Sequence, residues 1–102
     1  MAGAVVLFHR LALREYHAAR QWYGRAGASL ARAFEAEVGR AVARIANAPD
    51  QWPIYRGTFR WVKTRRFPYL LYYHTIDPDH VLILAVAHAR RRPGYWTRRS
   101  RP

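Results

Sequence analysis

The chain has no cysteine, which excludes disulfides, Cys-ligated zinc and thiol catalysis. Serine occurs only at Ser29 and Ser100, and neither lies in a nucleophile motif. The acids are few: Glu15, Glu35, Glu37, Asp50, Asp77 and Asp79 are all there are, and they offer no two-carboxylate pair and no metal cage. His9, His17, His74, His80 and His88 are scattered, without a ligand spacing such as H-E-x-x-H. Hydrolysis by a triad, a metal or paired carboxylates is therefore disfavoured, and neither a metal nor a cofactor is expected. The start "MAGAVVLFHRL" lacks a basic n-region, and its apolar run breaks at His9 and Arg10. No signal peptide or membrane span is expected, and the expected location is the cytoplasm.

What is present is positive charge and aromatic bulk. Eighteen Lys plus Arg against six acids give a formal charge of +12, and Lys63 is the single lysine. Residues 1–50 hold seven bases and four acids, whereas residues 51–102 hold eleven bases and two acids. A genome-wide bias towards arginine accounts for Arg over Lys, but poorly for the shortage of acids in the second half. Such a surface attracts polyanions or an acidic protein. At 102 residues, 51% hydrophobic and 15% aromatic, the chain suits one folded domain over residues 1–102 rather than a disordered segment.

Periodicity orders the elements. "AVVLFH" (residues 4–9) is β-branched and aromatic and reads as a strand. Leu13, Tyr16, Ala19 and Tyr23 then recur at helical spacing up to Gly24 and Gly27. Ser29 is a plausible N-cap for a second helix, whose stripe is Leu30, Phe34, Val38, Ala41, Val42 and Ile45, and which Asn47 and Pro49 end. "DQWPIYRGTF" (residues 50–59) reads as a loop, and "RWVKTRR" (60–66), "YLLYYHTI" (69–76) and "VLILAVAH" (81–88) read as strands, the last two joined by "DPDH". The expected fold is α+β in the order β-α-α-β-β-β: a twisted antiparallel sheet with an N-terminal helical hairpin on one face and the first strand at an edge. The other face is expected to be free and to carry Lys63 or its neighbours, Tyr72, His74 and the strand-end arginines.

Arg65, Arg66, Arg90, Arg91, Arg92, Arg98 and Arg99 lie in sequence near Tyr69, Tyr72, Tyr95 and Trp96. Arginine contacts phosphates and stacks, and aromatic rings are platforms for bases. The same set suits a helix of an acidic protein, with Arg and aromatic anchors carrying the energy. The bland reading is a solvated rim above core tyrosines. His74 and His88 are a candidate acid/base pair near Tyr95 if they face each other across adjacent strands, although exposed or structural roles are commoner for scattered histidines. Trp22, Trp52, Trp61 and Trp96 seal a core or anchor a partner.

"ALREYHAARQWY", "FEAEVGRAVARIANAPDQWP", "RRFPYLLYYHTID" and "VLILAVAHARRRPGYWTRR" together resemble the RelE/ParE superfamily of bacterial toxins from type II toxin–antitoxin modules, in order and spacing, over about residues 4–99. The closing R-F-P-Y, strand, H-x-R-R-x-P-x-Y-W is the most specific part. The resemblance implies a twisted antiparallel sheet carrying a helical hairpin, and an acidic antitoxin with which the toxin forms a hetero-oligomer. RelE-like members cut messenger RNA on the ribosome, whereas ParE-like members are known for poisoning DNA gyrase. Aligned on "Y-x-L-x-Y", the RelE-type catalytic arginine falls at Leu70, the next arginine falls at or beside Ala89, and Tyr95 matches the C-terminal tyrosine. Leucine cannot stabilise charge on a phosphate. The expectation is therefore a ParE-like gyrase poison that binds its target through Arg65, Arg66, Arg90, Arg91, Arg92, Tyr95 and Trp96. The alternatives are a RelE-type messenger RNA endonuclease using His74, His88, Arg91 and Tyr95, and a non-toxic nucleic-acid-binding module.

Overall fold

The β-branched and aromatic runs form strands and the alanine-rich amphipathic runs form helices. A computed structural model describes residues 3–100, the side chain of Ser100 excepted; residues 1–2 and 101–102, the ends of the expected domain, lie outside the described residues. The order is β1 (Val5–Phe8), α1 (Arg10–Gly24), α2 (Ala28–Asn47), β2 (Ile54–Arg56), β3 (Phe59–Lys63), β4 (Tyr69–Asp77) and β5 (His80–His88), with a 3₁₀ turn at Thr97–Ser100. The sheet runs β1-β5-β4-β3-β2. Strands β2 to β5 are antiparallel, and β1 joins β5 in parallel at the edge. Among the described residues no helix is long and apolar enough to cross a membrane.

Local details refine the reading from sequence. Strand β2 lies inside the stretch read as a loop, because Pro53 and Gly57 bound a three-residue strand instead of abolishing it. The Pro53 carbonyl accepts from the Trp61 N–H at 3.1 Å, and Gly57 takes φ +56° at the turn into β3. His9 ends no strand; it caps α1, its Nδ1 accepting from the Leu11 N–H at 3.0 Å. Gly27 rather than Ser29 is the N-cap residue of α2. On α1 the expected Tyr16, Ala19 and Tyr23 join the core, but Leu13 is 43% exposed and Ala12 takes its place on the buried stripe.

Both faces of the sheet are covered. On one, Phe34, Val38, Ala41 and Ile45 of α2 meet Val62, Leu71, Tyr73, Val81, Ile83 and Val86. Tyr73 reaches through this layer to donate to the Pro49 carbonyl at 2.6 Å, and burial raises its phenol to about 12. The opposite face carries Tyr72 and His74 as expected, but it is not free. Trp96 is fully buried there against Tyr72, Leu84, Ala85 and Ala87, with Tyr55, Phe59, Trp61, Leu70, Leu82 and Tyr95 around it. Its ring stacks on Tyr72 at 4.5 Å and meets Phe59 edge-on at 5.0 Å. The reason is the chain after β5: Gly94, at φ +85°, turns it back across the sheet, and a Cβ at Gly94 would come within 2.9 Å of the Tyr55 hydroxyl. That turn admits little but glycine.

Trp96 therefore acts as the core of the second face. Trp96→Ala is expected to cost about 3–5 kcal/mol, read as a lower midpoint in urea unfolding. An unchanged midpoint would show that the second face holds without it.

Candidate target-binding rim

The register answers why arginines flank the β4–β5 hairpin. Tyr69, the first residue of β4, pairs with His88, the last of β5, and the Ala89 N–H donates to the Pro68 carbonyl at 2.8 Å. The loop holding Arg65 and Arg66 and the turn holding Arg90, Arg91 and Arg92 are thus brought to one end of the sheet. All five are exposed. Both loops are fixed by backbone hydrogen bonds. The Arg65 and Arg66 N–H groups each donate to Glu37 Oε1 at 2.9 Å, and Thr64 Oγ1 donates to the Phe67 carbonyl. Across the rim, the Arg90 N–H donates to His88 Nδ1 at 3.1 Å and the Arg91 N–H to the His88 carbonyl at 2.9 Å. Among the described residues, Arg65, Arg66, Arg90 and Arg92 make no ion pair. They are positive groups held on rigid backbone.

One carboxylate ties the C-terminal segment to this rim. Glu15 projects from the middle of α1, and its side chain is 14% exposed. Glu15 Oε1 accepts from the Val86 N–H at 3.0 Å and from Arg99 Nη1 at 3.0 Å. Glu15 Oε2 accepts from the Tyr95 hydroxyl at 2.8 Å and from Arg91 Nη1 at 3.4 Å. Arg99 Nη1 also donates to the Leu84 carbonyl at 3.1 Å. Leu84 is the extra residue of a β-bulge, since Tyr72 pairs with Ala85 and Tyr73 with Ile83. Strand β1 stops opposite Ile83, so beyond it β5 has no strand on that side. The Glu15–Arg99 pair supplies the missing donor and acceptor. The Arg91 guanidinium carbon lies 3.7 Å from the centre of the Tyr95 ring and that of Arg99 5.1 Å, completing a cation–π cluster.

The expected site residues separate into two groups. Arg65, Arg66, Arg90, Arg91 and Arg92 meet at the rim. Tyr95 lies beside it, but its hydroxyl is committed to Glu15, and burial followed by that hydrogen bond pushes its phenol well above the usual range. Trp96 is buried in the second face and presents no surface to a partner. His74 and His88 do not face each other. His74 pairs with Leu82 and its ring contacts Phe59 on the second face, whereas His88 sits against Tyr69 on the helix face. Six residues of strand, about 20 Å, separate the two positions. Burial holds the His74 imidazole below its ordinary value. Leu70 is half-buried in the Trp96 cluster. Glu15 was the residue missed. Its signal was its position at i+3 from Ala12 and i−4 from Ala19, on the stripe that α1 buries. Glu37 has the same signal on α2, between Phe34 and Ala41.

A helical hairpin on a five-stranded sheet, with an arginine rim at one end, defines a class of small basic proteins. The family described as ParE toxin of type II toxin–antitoxin system, parDE, matches residues 6–93, and the chain belongs to that family. The match stops before Tyr95, Trp96 and Arg99. Among solved structures, a chain of the chromosomal ParDE TA system from P. aeruginosa superposes with a TM-score of 0.71 at 14% identity, covering 85% of this chain and 97% of that one. At that identity the likeness concerns the fold. No curated protein matches.

Two consequences are measurable. Glu15→Ala strands a strand amide and two arginines and is expected to lower stability by about 3 kcal/mol, whereas Tyr95→Phe removes one hydrogen bond and should lower it by about 1–2 kcal/mol. Equal effects in urea titrations would contradict the shared acceptor. Glu37 is held below its ordinary 4.5, first by the hydrogen bond from Arg40 and then by the Arg66 and Arg65 amides, against the opposing effect of burial. Its contribution is therefore fully present above pH 4.5 and lost as pH falls through its lowered value. The stability gap between the native chain and Glu37→Gln is expected to shrink as pH drops below that point, and a constant gap would contradict the hydrogen bonding.

Proposed function

We propose that this ParE-family toxin acts in the cytoplasm by binding and poisoning DNA gyrase, and that a cognate acidic antitoxin neutralises it. The observation that carries the reading is the rim, where five arginines share one end of the sheet with two carboxylates, Glu15 and Glu37, whose oxygens are already occupied. Rigidly placed guanidiniums anchor an acidic protein surface well. Opposite charge would speed the encounter with an acidic antitoxin, and salt would slow it.

The arrangement offers little to messenger RNA cleavage of the RelE type. Its tyrosine is a phenol bound to Glu15, its two histidines lie on opposite faces, and the arginine position holds a packed leucine. Among the described residues, Tyr95, His74 and His88 do not converge with an arginine on one place where a scissile phosphate would be cut.

The test combines purified toxin with gyrase and ATP, and separately with a translating ribosome. Blocked supercoiling or accumulated cleaved DNA is expected in the first. Codon-phased cuts in primer extension would instead establish the endonuclease reading. Changing Arg66, Arg90 and Arg92 together to Gln should leave the fold intact, since exposed substitutions usually stay within about 0.5 kcal/mol each, and should weaken gyrase inhibition at least about tenfold. Full potency in that variant would show that the rim is not the working surface. Co-expression with the product of an adjacent small acidic gene should give a complex, and failure to co-purify would contradict the antitoxin reading.

A further inference from the structure

Away from the C-terminal segment, a second arginine cluster lines a cleft of about 200 Å³ formed by Arg40, Ala43, Arg44 and Arg65. Arg40 and Arg44 are one turn apart on α2, a spacing at which like charges repel. Arg65 joins them from the β3–β4 loop, whose backbone is fixed to Glu37. Glu37 is the carboxylate nearest in sequence to Arg40, and its acceptor sites are filled. Glu37 Oε1 takes the Arg65 and Arg66 amides, and Oε2 takes Arg40 Nη2 at 2.6 Å and Nε at 3.2 Å. Nothing remains there for Arg44 or for the Arg65 side chain. Arg44 is weakly held, with a 3.5 Å hydrogen bond from Nη2 to the Lys63 carbonyl and its guanidinium 6.0 Å from the centre of the Trp52 ring. Its Nε is buried without a hydrogen-bond partner. Three arginines thus line one cleft beside the small residue Ala43, and the nearby carboxylate, Glu37, is saturated by Arg40 and two backbone amides.

We propose that this cleft binds a phosphate group through Arg40, Arg44 and Arg65. A tetrahedral oxyanion offers several acceptor oxygens at once, matching planar guanidinium forks that arrive from two elements. It would cancel the local excess of charge; burial first, and then the charges of Arg65 and Arg40, hold the Arg44 guanidinium below its ordinary value. The same chemistry is supplied by a free phosphate or nucleotide and by the backbone of a nucleic acid. Arg65 belongs both to this cleft and to the rim proposed to bind gyrase, so phosphate binding is read directly, apart from gyrase inhibition, which is tested through Arg66, Arg90 and Arg92.

The experiment titrates the full chain with inorganic phosphate, AMP and a short single-stranded oligonucleotide, all at one ionic strength set with sodium chloride. Melting temperature and the arginine Nε–H NMR signals are followed. Phosphate is expected to raise the melting temperature above the chloride control and to shift the Arg44 and Arg65 signals. Arg65→Gln, an exposed change that spares the fold, should weaken binding about tenfold, as loss of a charge-assisted hydrogen bond does. Arg44→Gln should do the same, whereas Arg32→Gln, on the same helix but outside the cleft, should not. An oligonucleotide that displaces phosphate at these signals identifies a nucleic-acid backbone as a ligand, and phosphate or AMP binding without such displacement identifies a small phosphate. The proposal is overturned if phosphate and oligonucleotide act no more strongly than chloride, or if Arg65→Gln and Arg44→Gln both bind as the native chain does.

Discussion

The Glu15 carboxylate is the interaction on which the rest of the chain after β5 depends. Strand β5 is nine residues long and β1 only four, so half of β5 lacks a strand neighbour on one side. An unsatisfied backbone group in so buried a strand costs about 1–3 kcal/mol. Glu15 and Arg99 remove that cost, one accepting from the Val86 amide and the other donating to the Leu84 carbonyl. In doing so they bring Tyr95 and Arg99 to α1 and hold the intervening Trp96 across the second face. An ion pair that replaces a strand is here the link between helix, sheet and tail.

That link also accounts for how a strongly basic chain tolerates its charge. The two arginines that approach Glu15 are not equivalent. Arg99, 14% exposed, is structural, whereas Arg91, 53% exposed and at 3.4 Å, faces the rim. Glu37 does similar work at the other side of the rim by holding the amides of Arg65 and Arg66 while leaving their side chains in solvent. Two buried-stripe glutamates thereby position the loops that carry most of the exposed rim charge. Glu15 and Glu37 are turned inward to serve as these acceptors, whereas Glu35, Asp50, Asp77 and Asp79 are exposed away from these bonds. The charged side chains that the two loops present to solvent are arginines.

Much of this was legible in the sequence. The helical hairpin, the antiparallel hairpins of β3 to β5 and the edge placement of β1 follow from periodicity and turn residues, and the R-F-P-Y and H-x-R-R-x-P-x-Y-W stretches carried the family. What was not legible depended on long-range pairing. The union of Arg65 and Arg66 with Arg90 to Arg92 follows from strand register, which could be inferred. The bulge at Leu84 and the reach of Glu15 to Val86, 71 residues away, could not. Trp96 was read on the rim because it follows the last strand by eight residues. The Gly94 turn reversed the chain and buried it. His74 and His88 illustrate the same point, since residues in paired strands need not be opposite one another.

A double-mutant cycle on Glu15 and Arg99 tests the central claim most directly. Unfolding free energies of the native chain, Glu15→Gln, Arg99→Gln and the double variant give the coupling between the two side chains. A clamp that replaces a strand predicts a coupling of about 2–3 kcal/mol, well above the value for an exposed pair. A coupling below about 0.5 kcal/mol, the level of a surface ion pair, would contradict it.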